Sequence, residues 1–185
     1  TWIEQMGKYQ LTVSQNIRSI YFLAFVPIWG FAGTTKTYIS QYIGAAKQQE
    51  LPRIQRRIQL LTLLFMLLTF HGAIFYPETL VSIINPHEQY LKDSSAILRL
   101  VAGSILLYAL VSVYFQTIHG SGNTVASMTI EIISVGVYTL SVYLFIKVWT
   151  FDIYHVWTVE YIYFGTMGLL SYLYLNLFSW NNKRI

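Results

Sequence analysis

The chain has 185 residues, of which 55% are hydrophobic, 17% aromatic and only 11% charged, and its formal net charge is +4. Because soluble globular domains are about 25% charged, this composition excludes an ordinary soluble fold and indicates a membrane protein. The sequence contains no cysteine, which excludes disulfides and thiolate metal sites and leaves the redox compartment open.

Long apolar stretches recur along the chain, separated by charged residues, prolines or small polar residues. Several reach the ~20 residues that a helix needs to cross a bilayer. The predicted spans cover residues 17–43, 58–75, 96–118, 125–146 and 153–178. We predict that all five are helices, because lipid cannot satisfy an open strand and no alternating barrel pattern is present. The predicted fold class is an all-α, polytopic membrane bundle, with residues 1–185 as one domain.

The start of the chain and its third connection lie outside these spans. Residues 1–7 resemble the end of a sixth helix, and the chain opens without a methionine or a signal peptide. We therefore expect the sequence to be a piece of a longer protein. The connection at residues 76–93 has prolines at positions 77 and 86, and we predict that it lies at the membrane interface as a lid or elbow.

The basic residues of the connections indicate the orientation. One side of the predicted bundle holds Lys47, Arg53, Arg56, Arg57, Lys183 and Arg184, and the other holds Lys8, Lys92 and Lys147, with Arg18 nearby. Because cytoplasmic loops carry the excess of Lys and Arg, we expect a cytoplasmic C-terminus and an external N-terminus in the plasma (inner) membrane. Trp149, Trp157 and Trp180 flank the ends of the last spans, as interfacial anchors do.

Two stretches of small residues interrupt the spans, GFAGTTKTYISQYIGAAK at 30–47 and QTIHGSGNT at 116–124. Small residues allow close helix contact and tight reversal of the chain. In their order and spacing, these stretches resemble the second half of a multidrug and toxic compound extrusion (MATE) transporter. The residues that match the family pattern are Pro27, Gly30, Gln41, Gly44, Ala45, Gly120, Gly122, Thr124 and Trp180. The chain departs from it at Ser40, where glycine is usual, and at Asn123, where aspartate is usual.

The resemblance implies a secondary transporter of twelve helices in two bundles, of which this chain is most of the C-terminal bundle. It implies alternating access about a central cavity and coupling to H⁺ or Na⁺, with no other cofactor. The implied partners are membrane lipids, small and often cationic organic substrates, and an N-terminal lobe of the same transporter.

One glutamate interrupts the fourth span. Glu131 lies about 12 Å from Asn123, close to the middle of a hydrocarbon layer about 30 Å thick. A charge there costs roughly 2.5–3.5 kcal/mol, so we expect the side chain to face the bundle interior or water. It is either a coupling site for H⁺ or Na⁺ or a structural group that bonds to a neighbouring helix.

Lys36 in the first span is the second coupling-ion candidate. Its depth, counted from Ala45, is similar to that of Glu131, so the two side chains either pair, directly or through water, or Lys36 extends along its helix to the surface. Arg18, Arg99 and Glu160 are nearer the external ends of their spans, where we expect them to reach water.

Polar aromatic residues of the spans are candidates for a substrate cavity. Trp29 is ~18 Å into the first span, where its ring either stacks on a flat cationic compound or packs in the core. Tyrosine hydroxyls at comparable places offer hydrogen bonds to a substrate or to a neighbouring helix. The candidates are Trp29, Tyr21, Tyr38, Tyr108, Tyr114 and Gln116.

The sequence gives no indication of an enzyme. Its histidines lack metal-ligand spacing, and no nucleophile elbow, P-loop or dinucleotide-binding glycine turn is present. The basic segment at 47–57 adjoins two spans and is typical of a topology signal, so we expect no nucleic-acid partner and no metal. Two alternatives to drug export stay open. A flippase for lipid-linked oligosaccharides would need a continuous, cation-lined groove, and a non-transporting helical scaffold would need a dry bundle around Glu131.

Overall fold

The computed structural model describes residues 2–178, and Trp180, Lys183 and Arg184 lie outside the described residues. Within that range the chain is helical and contains no strand, which confirms the predicted all-α membrane bundle. The helices are α1 (Lys8–Gly44), α2 (Leu51–Phe70), α3 (Gly72–Phe75), α4 (Pro77–Ile84), α5 (Glu88–Gly120), α6 (Thr124–Tyr143), α7 (Ile153–Val156) and α8 (Val159–Leu177). Short 3-10 turns cover Ile3–Met6 and Gln48–Glu50, and a π-turn covers Leu144–Val148.

The predicted spans fall on these helices, with different ends. Helix α1 begins well before residue 17 and α5 well before residue 96. The second predicted span is interrupted at His71, and the last one at residues 157–158, so α3 and α7 are separate short helices. The short helix α4 occupies the predicted interfacial elbow and packs on α1 and α5.

Three helices of the described range are long and apolar enough to cross a membrane, namely α1, α5 and α6 with its π-turn. Helix α2 has 20 residues, but three arginines lie in its first two turns. Helix α8 has 19 residues, and its tyrosines, Glu160 and Asn176 make it less apolar. That α2 and α8 also cross the membrane stays a prediction.

Helix α5 is the centre of the bundle. In its most apolar stretch 56% of the residues are buried, against 28% in α1 and 17% in α6. It packs along α1, α2 and α8, and its buried positions include many small residues. Small side chains bring neighbouring backbones close, which gives van der Waals contact where lipid supplies no hydrophobic driving force.

Polar contacts join the helices at both ends of α5. Near its start, the buried Asn16 amide of α1 donates to Ser94 Oγ (3.3 Å) and accepts from the Asn85 amide (3.3 Å). Near its end, the Gln55 amide of α2 donates to Thr117 Oγ1 (2.8 Å). These bonds satisfy buried polar groups and fix the register of α1, α2 and α5.

Gly120 lies where α1 and α5 meet backbone to backbone. A Cβ atom there would be 2.6 Å from the carbonyl oxygen of Lys36, so only glycine fits this contact. Ser40 is one of the departures from the family pattern. Its hydroxyl donates a hydrogen bond of 2.7 Å to the carbonyl oxygen of Gly120.

The other matched residues shape α1 and the α5–α6 turn. Gly122 has a φ of 77°, the left-handed region that favours glycine, and Thr124 begins α6. Pro27 lies inside α1, and the Gln41 carbonyl accepts a hydrogen bond from the Ala45 amide at the helix end. The two matched glycines of α1, Gly30 and Gly44, have open space where a Cβ would lie.

Gly168→Ala is expected to destabilise the protein, because a Cβ there would be 2.6 Å from Val111 Cγ2 of α5. Overpacking of this kind costs typically about 1–3 kcal/mol. The measurement is thermal unfolding of the purified protein in detergent. The control is Gly165→Ala on the same helix, where the added Cβ would meet no atom within 4 Å. Equal melting temperatures for the two variants would contradict the close α5–α8 contact.

Candidate functional site

Glu131 lies on α6 and is half-buried toward α8. The Tyr163 hydroxyl of α8 donates a hydrogen bond of 2.8 Å to Glu131 Oε1. The neighbouring α6 residues Ile132 and Val135 are exposed apolar side chains, so the acid lies at the border between the α6–α8 contact and an exposed apolar surface of the helix. This placement gives the carboxylate a donor within the bundle, as an acid in a span requires.

A cavity of about 540 Å³ opens beside Glu131, between α5, α6 and α8. Its lining combines this single carboxylate with a histidine, phenol rings and apolar walls. The lining includes Tyr108, Phe115, His119, Met128, Tyr163 and Met167. A lone negative charge surrounded by aromatic rings has the chemistry to attract a cation.

The direct pair of Lys36 and Glu131 that the sequence allowed is not formed among the described residues. Lys36 is exposed, and its backbone lies against Gly120, at the end of α5. Helix α1 continues about two turns beyond this level, so Lys36 lies beside the end of α5. Glu131 lies two turns further along α6, and its observed partner is Tyr163.

Lys36 is not among the residues that line the cavity. It is close enough to His119, which does line it, to influence that ring electrostatically.

Three of the aromatic candidates are joined through Phe25. Its ring centroid lies 4.6 Å from that of Tyr21, 5.9 Å from that of Trp29 and 5.1 Å from that of Tyr108. Trp29 is 49% exposed and lines an open groove of about 550 Å³ with Phe22 and Phe25. These rings form an exposed aromatic surface on α1, and Tyr108 connects it with the cavity beside Glu131.

The structure places the remaining substrate candidates elsewhere. Tyr38 is 45% exposed and lies next to Tyr42. Tyr114 meets Tyr172 of α8 edge to face, with ring centroids 6.0 Å apart. Neither these two tyrosines nor Gln116 line the groove or the cavity beside Glu131.

A second carboxylate, on α8, was missed as a site residue by sequence reasoning. Glu160 was expected to reach external water, but it is only partly exposed and accepts two hydrogen bonds. The Tyr21 hydroxyl donates to Oε2 at 2.6 Å, and the Tyr138 hydroxyl donates to Oε1 at 3.4 Å. Glu160 is the second residue of α8, a position that suggested a helix end in water. No local sequence pattern shows that tyrosines of α1 and α6 cover its carboxylate.

The two carboxylates occupy opposite ends of one aromatic contact between α6 and α8. Tyr163, which binds Glu131, meets Tyr138, which binds Glu160, edge to face with ring centroids 5.5 Å apart. Each acid therefore joins α6 to α8 through a tyrosine hydrogen bond, and the two bonds lie at different levels along these helices.

Asp152 is an acid outside the spans with a local structural role. Its carboxylate caps α7 by accepting from the His155 amide (3.0 Å) and contacts His155 Nδ1 (2.6 Å). The backbone bond to His155 is the main cause that holds the pKa of Asp152 below its usual value. Because the pKa of Asp152 is lower in the folded protein than in the unfolded chain, its ionised carboxylate stabilises the fold at pH values above the unfolded-state pKa. This stabilisation is lost as the pH falls through the folded-state pKa.

These features define a multi-pass, all-α membrane protein with acid-lined cavities between its helices. The chain belongs to the MatE family, whose sequence model matches residues 1–144. The match confirms the resemblance noted from the small-residue stretches, and it covers Glu131 while α7 and α8 lie beyond it.

The chain is also similar to the probable multidrug resistance protein NorM of Thermotoga maritima. The two are 24% identical over 155 residues, which cover 82% of this chain and 33% of the relative. The chain thus spans about a third of the length of that curated relative. No solved structure matches the chain.

A double-mutant cycle tests the bond between Glu131 and Tyr163. We expect Glu131→Leu, which removes the acceptor, and Tyr163→Phe to be coupled by about 0.6–1.7 kcal/mol, the average and the maximum for hydrogen bonds between membrane helices. The free energy of unfolding in detergent is the quantity measured. The control cycle replaces Tyr163→Phe with Tyr161→Phe, because the Tyr161 hydroxyl donates to the Leu100 carbonyl instead (2.6 Å). Equal coupling in both cycles would show that Tyr163 has no special relation to Glu131.

Proposed function

We propose that this chain is the C-terminal lobe of a cation-coupled antiporter that exports drug-like or toxic organic compounds. The observation that carries the proposal is the Glu131 carboxylate, which lines an open cavity within a bundle of apolar helices. Membership of the MatE family and the similarity to a protein named as a probable multidrug resistance protein support it.

The proposed role of Glu131 is to exchange the coupling ion, H⁺ or Na⁺. A coupling ion shifts a conformational equilibrium only by its different affinities for the two states. A carboxylate with a single tyrosine donor keeps lone pairs available for a proton or a sodium ion. Closure of the cavity would desolvate the charged acid and favour the ion-bound form, and opening would favour release.

The proposed substrate surface is the groove of Trp29, Phe22 and Phe25 together with Tyr108. Its exposed rings offer flat faces for stacking and for cation–π contact. Tyr38, Tyr114 and Gln116 line neither cavity and are weaker candidates, and Lys36 is proposed as a charge beside His119.

The geometry favours export over the two alternatives. A scaffold would need a dry bundle around Glu131, whereas the side chain borders about 540 Å³ of open space. A flippase would need one continuous, cation-lined groove, whereas, among the described residues, no Lys or Arg lines the cavity beside Glu131, and Arg18 is the one such residue in the groove at Trp29 and in the cavity around Glu160.

The proposed setting is the plasma membrane, with the N-terminus of the chain outside and the C-terminus in the cytoplasm, as the loop charges indicate. Membrane lipids surround the exposed apolar faces of α2 and α6. An N-terminal lobe of the same transporter would complete the central cavity, so this lobe alone is not expected to transport.

Glu131→Gln in the full-length transporter is expected to lower coupled efflux about 5- to 150-fold, the range of ordinary coupling free energies. The efflux of a fluorescent substrate would be measured across pH, with and without sodium. Glu88→Gln is the control, because Glu88 is an exposed acid in the first turn of α5. Unchanged efflux of the Glu131 variant at every condition would remove this residue from the coupling role.

Trp29→Ala is expected to weaken the apparent affinity for a flat cationic dye such as ethidium by roughly 2- to 30-fold, the equivalent of one cation–π contact. The KM of dye efflux is the measured quantity. Trp149→Ala is the matched control, because Trp149 is 51% exposed but follows the π-turn at the outer end of α6. A similar change in both variants would argue against a substrate contact at Trp29.

A further inference from the structure

Helix α2 has two faces of different chemistry. At 3.6 residues per turn, its buried positions fall on one side of the helix and most of its exposed positions on the opposite side. The buried positions are Leu51, Ile58, Thr62 and Met66. The exposed side chains of the opposite face are first basic and then apolar, in the order Arg53, Arg56, Arg57, Leu60, Leu61, Leu64, Leu67 and Leu68.

The inner face of α2 is tied to α5 by two glutamines. The Gln55 amide donates to Thr117 Oγ1 at 2.8 Å, and the Gln59 amide donates to the Leu110 carbonyl at 3.2 Å. These bonds fix the rotation of α2 about its own axis, so the arginines that alternate with the glutamines face away from the bundle. The basic end of α2 lies at the level of Thr117, close to the end of α5.

The positive charge of this outer face is not neutralised by the part of the chain that the structure describes. Arg53 pairs with Glu50 at 3.1 Å, whereas Arg56 and Arg57 are exposed and form no ion pair within residues 2–178. Residues 47–57 carry four basic side chains and one acid. Arg53, Arg56 and Arg57 are spaced i, i+3 and i+4, so they are neighbours on the helix surface. Guanidinium groups in such a cluster suit a phosphate, which they bind with paired hydrogen bonds.

The apolar part of the same face indicates what kind of phosphate compound fits. Leu60, Leu61, Leu64 and Leu68 are between 50% and 75% exposed. From Arg57 to Leu68 the helix rises about 16 Å, close to the ~15 Å of hydrocarbon in one leaflet of a bilayer. A free phosphate or an acidic peptide would use the arginines and leave the leucines uncovered. A lipid with a phosphate headgroup and an acyl chain matches both parts.

We propose that the outer face of α2 binds an anionic glycerophospholipid. Its phosphate contacts Arg56 and Arg57, and an acyl chain lies along Leu61, Leu64 and Leu68. The proposal rests on the prediction that α2 crosses the membrane, and it does not depend on ion exchange at Glu131, which lies on α6.

The experiment is a titration of the purified full-length protein, in neutral detergent, with phosphatidylglycerol or with phosphatidylcholine of the same acyl chains. Native mass spectrometry counts the bound lipids. We expect the wild type to bind phosphatidylglycerol at least about fivefold more tightly than phosphatidylcholine, since one basic residue near an anionic headgroup contributes about a factor of five. This preference should decrease as salt is added, because both arginines are exposed.

The double variant Arg56→Gln with Arg57→Gln is expected to bind phosphatidylglycerol roughly 25-fold more weakly, about fivefold for each charge. Its affinity for phosphatidylcholine should not change. The matched control is Lys8→Gln with Lys92→Gln, which removes two exposed basic side chains near the starts of α1 and α5. Melting temperatures without added lipid show whether both variants are folded, and the comparison of the two lipids on the wild type needs no variant.

Four results would overturn the proposal. The first is equal affinity of the wild type for the two lipids, and the second is an unchanged affinity of the arginine variant for phosphatidylglycerol. The third is an equal loss in the lysine control, which would indicate a general charge effect. The fourth is displacement of the lipid by an equal concentration of glycerol phosphate, which would indicate a site for a free anion. None of these measurements involves efflux, so this proposal and the proposed function fail separately.

Discussion

A carboxylate in a bundle of apolar helices needs hydrogen-bond donors from the protein, and in this chain tyrosine hydroxyls provide them. Tyr163 donates to Glu131, and Tyr21 and Tyr138 donate to Glu160. Phenol groups suit this role because the ring packs in an apolar interior while the hydroxyl serves the acid. Neutral donors thus hold each acid in place without removing its charge.

These donors reach the acids only because the helices approach closely around α5. Glycine at 120 lets the backbones of α1 and α5 touch, and glycine at 168 brings α8 against Val111. An added Cβ at Gly103 would overlap the Tyr161 hydroxyl, one residue from Glu160, so this small residue of α5 lets α8 approach closely beside that acid. The close packing of small residues on α5 and the hydrogen bonds between α1, α6 and α8 therefore depend on each other.

Apolar length, charge and small-residue spacing predicted the helices, the family and the presence of an acid that faces a cavity. They could not predict tertiary contacts between distant segments. The direct pair of Lys36 and Glu131 is not formed because α1 extends about two turns past the end of α5, which leaves Lys36 beside Gly120. Glu160 was overlooked because its donors come from residues 139 and 22 positions away.

The two acids differ in which helices their hydrogen bonds join, and this difference has a mechanical consequence. Glu131 and Tyr163 belong to α6 and α8, which pack against each other. Glu160 and Tyr138 belong to the same pair, but Tyr21 reaches Glu160 from α1. A movement of α6 and α8 as one body relative to α1 would preserve the Glu131 bond and break the bond from Tyr21. The carboxylate of Glu160 is thus placed where helix motion changes its surroundings, while Glu131 keeps its donor and responds to the opening of its own cavity.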